Sequence, residues 1–193
     1  MANLKSIHTV LIKVPKAYKE TIKHGTLELY LDTRFDDVTH TIRYGEVISS
    51  PDPRFMPGDT VYFHHNIVRR IRTMYGSEKE TPDEILDHTF HVPCDEIYGR
   101  KRNGVFEAIA PYCFIKPISK KQEQRGNLIL YSKEEFEPQI GIVKYGNPQL
   151  EEMGVNSGDA IIFNKNSEYK YPIDDELLYR MKNDWIIATI DGI

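Results

Sequence analysis

Cysteine is nearly absent. Cys94 and Cys113 are the two in 193 residues, too few for a disulfide framework, and a reducing cytoplasm is the expected setting. No apolar run approaches the roughly 18 residues that a membrane-spanning helix needs, so no membrane role is expected. The first residues, Met1 to Val14, set Lys5, His8 and Lys13 among apolar ones and show no signal-peptide pattern. Charge of one sign is also lacking. A net charge of −4 is too mild for a nucleic-acid binder, which needs clustered cations against the phosphates. There is no Gly-x-x-x-x-Gly-Lys-[Ser/Thr] phosphate loop, so ATP hydrolysis is not expected. The paired acids Asp36-Asp37 and Asp174-Asp175-Glu176 have no nucleophile or proton partner near them in sequence. Nothing specific points to an enzyme, and no cofactor is expected. Helix signals are scarce; Thr81 to Leu86 resembles one capped turn, with Thr81 as N-cap and Pro82 at the first helical position.

What is present is an ordinary folded composition, 40% hydrophobic and 28% charged, in a chain long enough for one large domain or two of under about 100 residues. A cut near Asn103 divides the charge unevenly. The first part holds 15 of the 25 Lys+Arg, 15 of the 29 Asp+Glu and all seven histidines. At the cut, Asn103-Gly104 sits between strand-like runs, a strong signal for a two-residue hairpin turn. It predicts a stiff junction between domain 1, residues 1–103, and domain 2, residues 104–193.

The two parts repeat each other. Ile7 to Lys13 aligns with Ala110 to Lys116, an offset of 103, and Gly25 to Tyr30 with Gly126 to Tyr131, an offset of 101. Gly45 to Ile48 aligns with Gly141 to Lys144 at 96, Gly58 to His64 with Gly158 to Asn164 at 100, and Asp95 to Tyr98 with Asn183 to Ile186 at 88. Five blocks in one order imply a duplication with a period near 100. Each copy consists of short β-prone runs bounded by Gly, Pro, Asn or Asp. The runs are Val10 to Val14, Val47 to Ser49, Thr60 to His64 and Val92 to Tyr98, then Cys113 to Ile118, Gly141 to Lys144, Ala160 to Asn164 and Trp185 to Ile190. Such density predicts an all-β protein of two small barrels or sandwiches.

Two stretches are too long for simple connections, Lys16 to Ile42 and Ser119 to Gln139. Both are polar, yet each carries an apolar run directly after a glycine. In the first it is Leu27, Leu29, Tyr30 and Leu31 after Gly25; in the second, Leu128, Ile129, Leu130 and Tyr131 after Gly126. Apolar residues in a polar loop need something to bury them: a strand of their own domain or a separate partner. His88-x-x-His91-x-x-Cys94 brings ligand types together, but zinc wants four, and no second compact Cys/His pair exists, so no metal is expected. Arg69-Arg70-Ile71-Arg72 reads as a solvated face or a salt link, and Cys113 as a small core residue.

The order of strand, polar loop with a Gly-plus-aliphatic triplet, Gly-x-Val strand and Gly-Asp-x-[Val/Ile]-x-Phe resembles the chaperonin-10 family, the GroES-type co-chaperonins. Copy two carries the clearer match, in Gly126 to Leu130, Gly141-Ile142-Val143, Val155 to Asn164 and Leu178 to Thr189. Copy one matches in its first half and at Gly58-Asp59, then diverges through an insertion at about 73–91. The resemblance implies two tandem GroES-like irregular β-barrels and a homo-oligomeric ring. It further implies a lid that caps a GroEL-type chaperonin and assists nucleotide-dependent folding, with Leu128, Ile129 and Leu130 as contacts. Leu27, Glu28 and Leu29 are the matching set in copy one. Glu28 departs from the expected apolar centre, and Leu29, Tyr30 and Leu31 offer an alternative register. The segments where the family's roof hairpin falls, Ser49 to Pro57 and Tyr145 to Asn156, are short, which suits a phage-encoded member working in its host's cytoplasm. If the partner offers seven sites, as the resemblance implies, two-domain chains cannot tile it evenly. The same features also fit another class, a structural or assembly protein, of a virion for instance, whose long loops are permanent intersubunit arms.

Overall fold

The computed structural model describes residues 4–16, 19, 21–31, 40–69, 71–72, 78–79, 83–86, 88–120, 136–174 and 176–190. The fold is all-β with one short helix among these residues. The chain forms two compact units, Met1–Phe106 and Glu107–Ile193.

The first sheet is built from β1 (Val10–Lys13), β4 (Tyr44–Ser49), β5 (Thr60–Phe63), β8 (Glu84–Leu86), β9 (Thr89–Val92), β10 (Ile97–Arg102) and β11 (Val105–Ala108). Their order is β11-β10-β5-β4-β1-β9-β8. Two hairpins stand outside it, β2 (Thr21–His24) with β3 (Leu27–Tyr30) and β6 (Ile71–Arg72) with β7 (Glu78–Lys79). Val10, Ile12, Val47, Val61, Phe63, Phe90, Val92 and Ile97 alternate inward and are buried, as period-two patterning requires. Asn103 and Gly104 have φ of 52° and 82°, the pair of left-handed residues that a tight turn matching strand twist demands. The turn falls inside the first unit.

The second sheet comprises β12 (Tyr112–Ser119), β13 (Phe136–Tyr145), β14 (Ala160–Phe163), β15 (Tyr169–Ile173), β16 (Glu176–Lys182) and β17 (Ile186–Ile190). Its order is β15-β16-β12-β13-β14-β17. Its core holds Cys113, Ile115, Val143, Leu150, Val155, Ile161, Phe163, Tyr179 and Met181. Leu150 comes from helix α1 (Pro148–Glu152), whose N-cap Asn147 accepts the Leu150 N–H and whose Pro148 sits at the helix start. Asn-Pro was a legible start signal, and the sequence reading of Tyr145 to Asn156 as a bare connection is corrected by it.

The two sheets correspond strand for strand. β17, β14, β13, β12, β16 and β15 stand in the same order as β10, β5, β4, β1, β9 and β8. The registers agree too: Ile12 faces Val47 as Ile115 faces Val143, and Val10 faces Val92 as Cys113 faces Met181. Phe63 faces Ile97 as Phe163 faces Ile186, and each ladder slips one residue beyond that pair. The Gly-Asp turns are bonded alike. Gly58 and Gly158 donate to the Val47 and Val143 carbonyls, whose own N–H groups donate back to Asp59 and Asp159. The close approach of β1 and β12 explains the preceding glycines. A Cβ on Gly141 would run into Ile115 Cγ2 and lie 2.9 Å from the Lys116 carbonyl; on Gly45 it would meet Ile12, Val14 and the Lys13 carbonyl at 3.0–3.1 Å.

Three expectations are corrected. Thr81 to Leu86 does not form a helical turn over its described part. Glu84–Leu86 is a strand facing β9, because one turn leaves its nucleation cost unrecovered while an open sheet edge offers ladder bonds at once; Thr81 and Pro82 lie outside the described residues. Val92 to Tyr98 is not one run, since Pro93 lacks an N–H and Cys94–Glu96 form a 3₁₀ turn before β10. The equivalent turn is Asn183–Trp185, so the last block is offset by 89 and not 88. Matching the acidic residues had hidden the shared turn.

Candidate functional site

Hairpin β2–β3 occupies the first long polar stretch. Its neck is closed by the Lys19 N–H, which donates to the His40 carbonyl at 2.9 Å. Thr21 faces Tyr30, Ile22 faces Leu29, Lys23 faces Glu28 and His24 faces Leu27. The two-residue turn between the strands is Gly25-Thr26, and Gly25 has φ of 62°, a left-handed conformation that glycine adopts at little cost. The strand β2 escaped the sequence reading. Its signal was the short β-prone run Thr21 to His24 on the far side of Gly25.

β3 is exposed along its whole length. Leu27 is 64% exposed, Leu29 48% and Tyr30 87%, while Leu31 is half-buried. Alternation puts Leu27 and Leu29 on one face and Glu28 and Tyr30 on the other. Glu28 accepts a hydrogen bond from the Thr21 hydroxyl at 3.0 Å. An acidic residue in the middle of the triplet therefore does not interrupt its apolar face. A lone two-stranded hairpin is marginal in water, and this one displays two leucines with no covering strand among the described residues.

Gly126, Leu128, Ile129 and Leu130 lie outside the described residues, as do Asp36, Asp37, Arg70 and Asp175. Near the feet of that second stretch, Glu176 joins Lys116 at 3.1 Å and Lys144 at 3.3 Å. The Lys116 hydrogen bond, with help from Lys144, holds the Glu176 carboxyl below its ordinary range.

The histidine-rich region gathers no metal cluster among the described residues. His88 takes a left-handed backbone, φ 58°, and its N–H donates to Glu84. The His91 Nε2 lies 3.5 Å from Asp83. Cys94 opens its 3₁₀ turn, and burial, then the Asp52 charge, push its thiol up. An open recess of about 360 Å³ is lined by His64, Asn66, Ile67, Asp83, Pro93, Glu96 and Tyr98. Burial, then Asp95 and Asp83, raise the Glu96 carboxyl there. Its lining holds no nucleophile paired with a base, so it reads as polar surface relief. No helix among the described residues is long and apolar enough to cross a membrane.

Against this geometry the comparisons give one family. Residues 106–190 match the model of the Chaperonin 10 Kd subunit. No curated protein sequence matches the chain.

Proposed function

We propose, from the chaperonin-10 membership of the chain through residues 106–190, that this protein is a co-chaperonin whose β2–β3 hairpin docks on a GroEL-type chaperonin. The family is one of co-chaperonins and not of enzymes. The observation that carries the docking reading is the leucine face of β3, presented on a hairpin outside the main sheet. The matched strand order and registers of the two sheets support treating the first unit as a second, diverged copy of the family domain, with the 121–135 stretch as its counterpart arm.

Magnitudes fit a lid. Burying Leu27 and Leu29 yields roughly 3–6 kcal/mol at about 1.5–3 each. Fixing a loop costs about 1 kcal/mol or more per residue, and a hairpin already closed by its turn lowers that cost. One arm then binds weakly and reversibly. Several arms on one ring bind firmly, because each later contact is intramolecular. Release is governed by the partner's nucleotide state, since this chain has no phosphate loop of its own.

The test is co-sedimentation of the purified chain with a GroEL-type chaperonin in ADP, ATP or no nucleotide. Wild type, Leu29→Asp and Ile129→Asp are compared, with protease protection of both stretches. Nucleotide-dependent binding that Leu29→Asp weakens by tenfold or more is expected. Absence of nucleotide-dependent binding would overturn the reading, and arms protected without any chaperonin would point to permanent intersubunit contacts instead.

A further inference from the structure

The one place where the two sheets differ is an edge. In the first unit the outer side of β10 is covered by β11, the segment that follows the Asn103-Gly104 turn and leads into β12. In the second sheet β17 takes the place of β10, and no strand among the described residues lies outside it. The consequence is visible along β17. Ile187, Ala188 and Thr189 are exposed, whereas β10 is buried over Ile97–Gly99. Ile187 is 59% exposed, and its equivalent Tyr98 is 4% exposed.

An uncovered strand presents a row of unpaired N–H and C=O groups, which natural proteins cover or blunt. β17 is not blunted; Ile186-Ile187-Ala188-Thr189-Ile190 has no charge and no proline. The correspondence says what covers it. β11 precedes β12, and β12 is the equivalent of β1. The segment equivalent to β11 is therefore the one before β1. Leu4 to Thr9 of that segment belong to no strand, and Lys5, Ile7 and His8 are exposed, Ile7 by 74%.

We infer that β17 is the acceptor edge for the segment preceding β1 of a second copy of this chain, so that copies join head to tail by strand addition. Each chain has one such donor segment and one such acceptor edge, which makes the contact heterologous and able to close into a ring. The inference rests on the sheet correspondence and not on chaperonin binding. Carrying the hairpin register across, with an offset of 103 at the donor and 89 at the acceptor, sets Lys5 of one copy opposite Ala188 of the next.

The experiment uses full-length Lys5→Cys and Ala188→Cys chains, each in a Cys94→Ser background, with a short bis-maleimide. Mixing the two is expected to give a covalent dimer that neither gives alone, and the doubly substituted chain to give a ladder of multimers. A doubly substituted chain linked only within itself, at the mass of one chain, would overturn the inference, since its own donor would then fill the edge. Self-linking of either single variant as strong as in the mixture would overturn it in favour of an isologous contact. A wild-type chain that stays at the mass of one subunit at high concentration would overturn it outright. Cross-linking that fails while nucleotide-dependent chaperonin binding persists removes only this inference; the reverse result removes only the co-chaperonin reading.

Discussion

Asn147 and Asn183 hydrogen-bond each other through both side-chain amides, Nδ2 of each to Oδ1 of the other, at 2.9 and 3.1 Å. Both are buried. Asn147 also donates to the Tyr112 carbonyl at 2.6 Å and caps α1. Asn183 reaches Gln149 at 3.2 Å, and its own N–H donates to the Pro111 carbonyl at 2.8 Å. The pair locks the start of β12, the helix and the turn before β17 into one polar node inside the second unit.

Removing one amide leaves the other buried without its partner, which costs about 1–3 kcal/mol beyond the lost bond. Asn183→Leu is therefore expected to destabilise the second unit by about 2–4 kcal/mol, and Asn147→Ala by a similar amount because it also removes a cap. The single tryptophan, Trp185, lies two residues from the node, so urea unfolding followed by its fluorescence isolates this unit. A midpoint shift under about 0.5 kcal/mol would mean that water replaces the amide without loss.

Asp59 is the first unit's counterpart of a local clamp. Its carboxylate receives Arg102 Nε at 2.7 Å and a second guanidinium nitrogen at 2.6 Å, and it accepts the Met56 N–H at 2.8 Å. Arg102 holds its pKa below the ordinary 3.8, against the opposing effect of burial. A depressed folded pKa stabilises the native state above the unfolded value, and that stability is lost as pH falls through the folded one. Asp59→Asn is expected to cost about 1–3 kcal/mol at pH 7 and to flatten the loss of first-unit stability below about pH 4. Asp159 accepts the equivalent turn N–H from Asn156 at 2.7 Å without such an arginine, so Asp159→Asn is expected to change acid stability less. Hydrogen exchange of the Val47 and Val143 amides across pH 2–7 reads both turns separately.

Short-range patterns made most of the fold legible. The Asn103-Gly104 turn, the Gly-x-Val and Gly-Asp blocks and the alternating apolar residues specify strands and turns locally, and the repeat specifies the order in which they recur. What stayed hidden depends on long-range partners. Glu84–Leu86 became a strand only because β9 lies beside it, and the true offset of the last block depends on the ladder from Phe163 to Ile186. Nothing in the spacing of Asn147 and Asn183 announces that they meet. At the candidate site the apolar run after Gly25 was legible as an oddity. Its division into a leucine face and a Glu28 face required the hairpin register.

The two thiols separate by burial. Cys113 is fully buried among β12 neighbours and its pKa is pushed up to about 12 by that burial, so neither accessibility nor thiolate is available near neutral pH. Cys94 is partly exposed. At pH 8, a maleimide or disulfide reagent is expected to label one cysteine in the native chain, Cys94, and slowly, since its thiol too is raised. Two are expected to react in urea. Rapid native labelling of Cys113 would mean that the second core opens far more readily than its packing implies.

The glycines of the two Gly-x-Val strands offer a graded test of strand crossing. At Gly141 a methyl group collides with the Ile115 side chain and with the Lys116 carbonyl at 2.9 Å, and backbone cannot move aside as a side-chain tip can. At Gly45 the nearest atoms are at 3.0–3.1 Å and two of the three are side-chain ends. At Gly25 nothing lies within 4 Å, and the cost is that of a positive φ alone. Replacement by alanine is expected to destabilise by about 2–3 kcal/mol or more at Gly141 and about 1–2 at Gly45, as overpacking does. At Gly25 the cost is about 1 kcal/mol, confined to the hairpin. Thermal unfolding orders the first two. For Gly25→Ala the global midpoint is expected to stay within about 1 °C while amide exchange across β2–β3 speeds up, because the hairpin is not part of the main sheet. A Gly25→Ala midpoint as low as that of Gly141→Ala would show that the hairpin is integral to the first unit's core and not an arm held out from it.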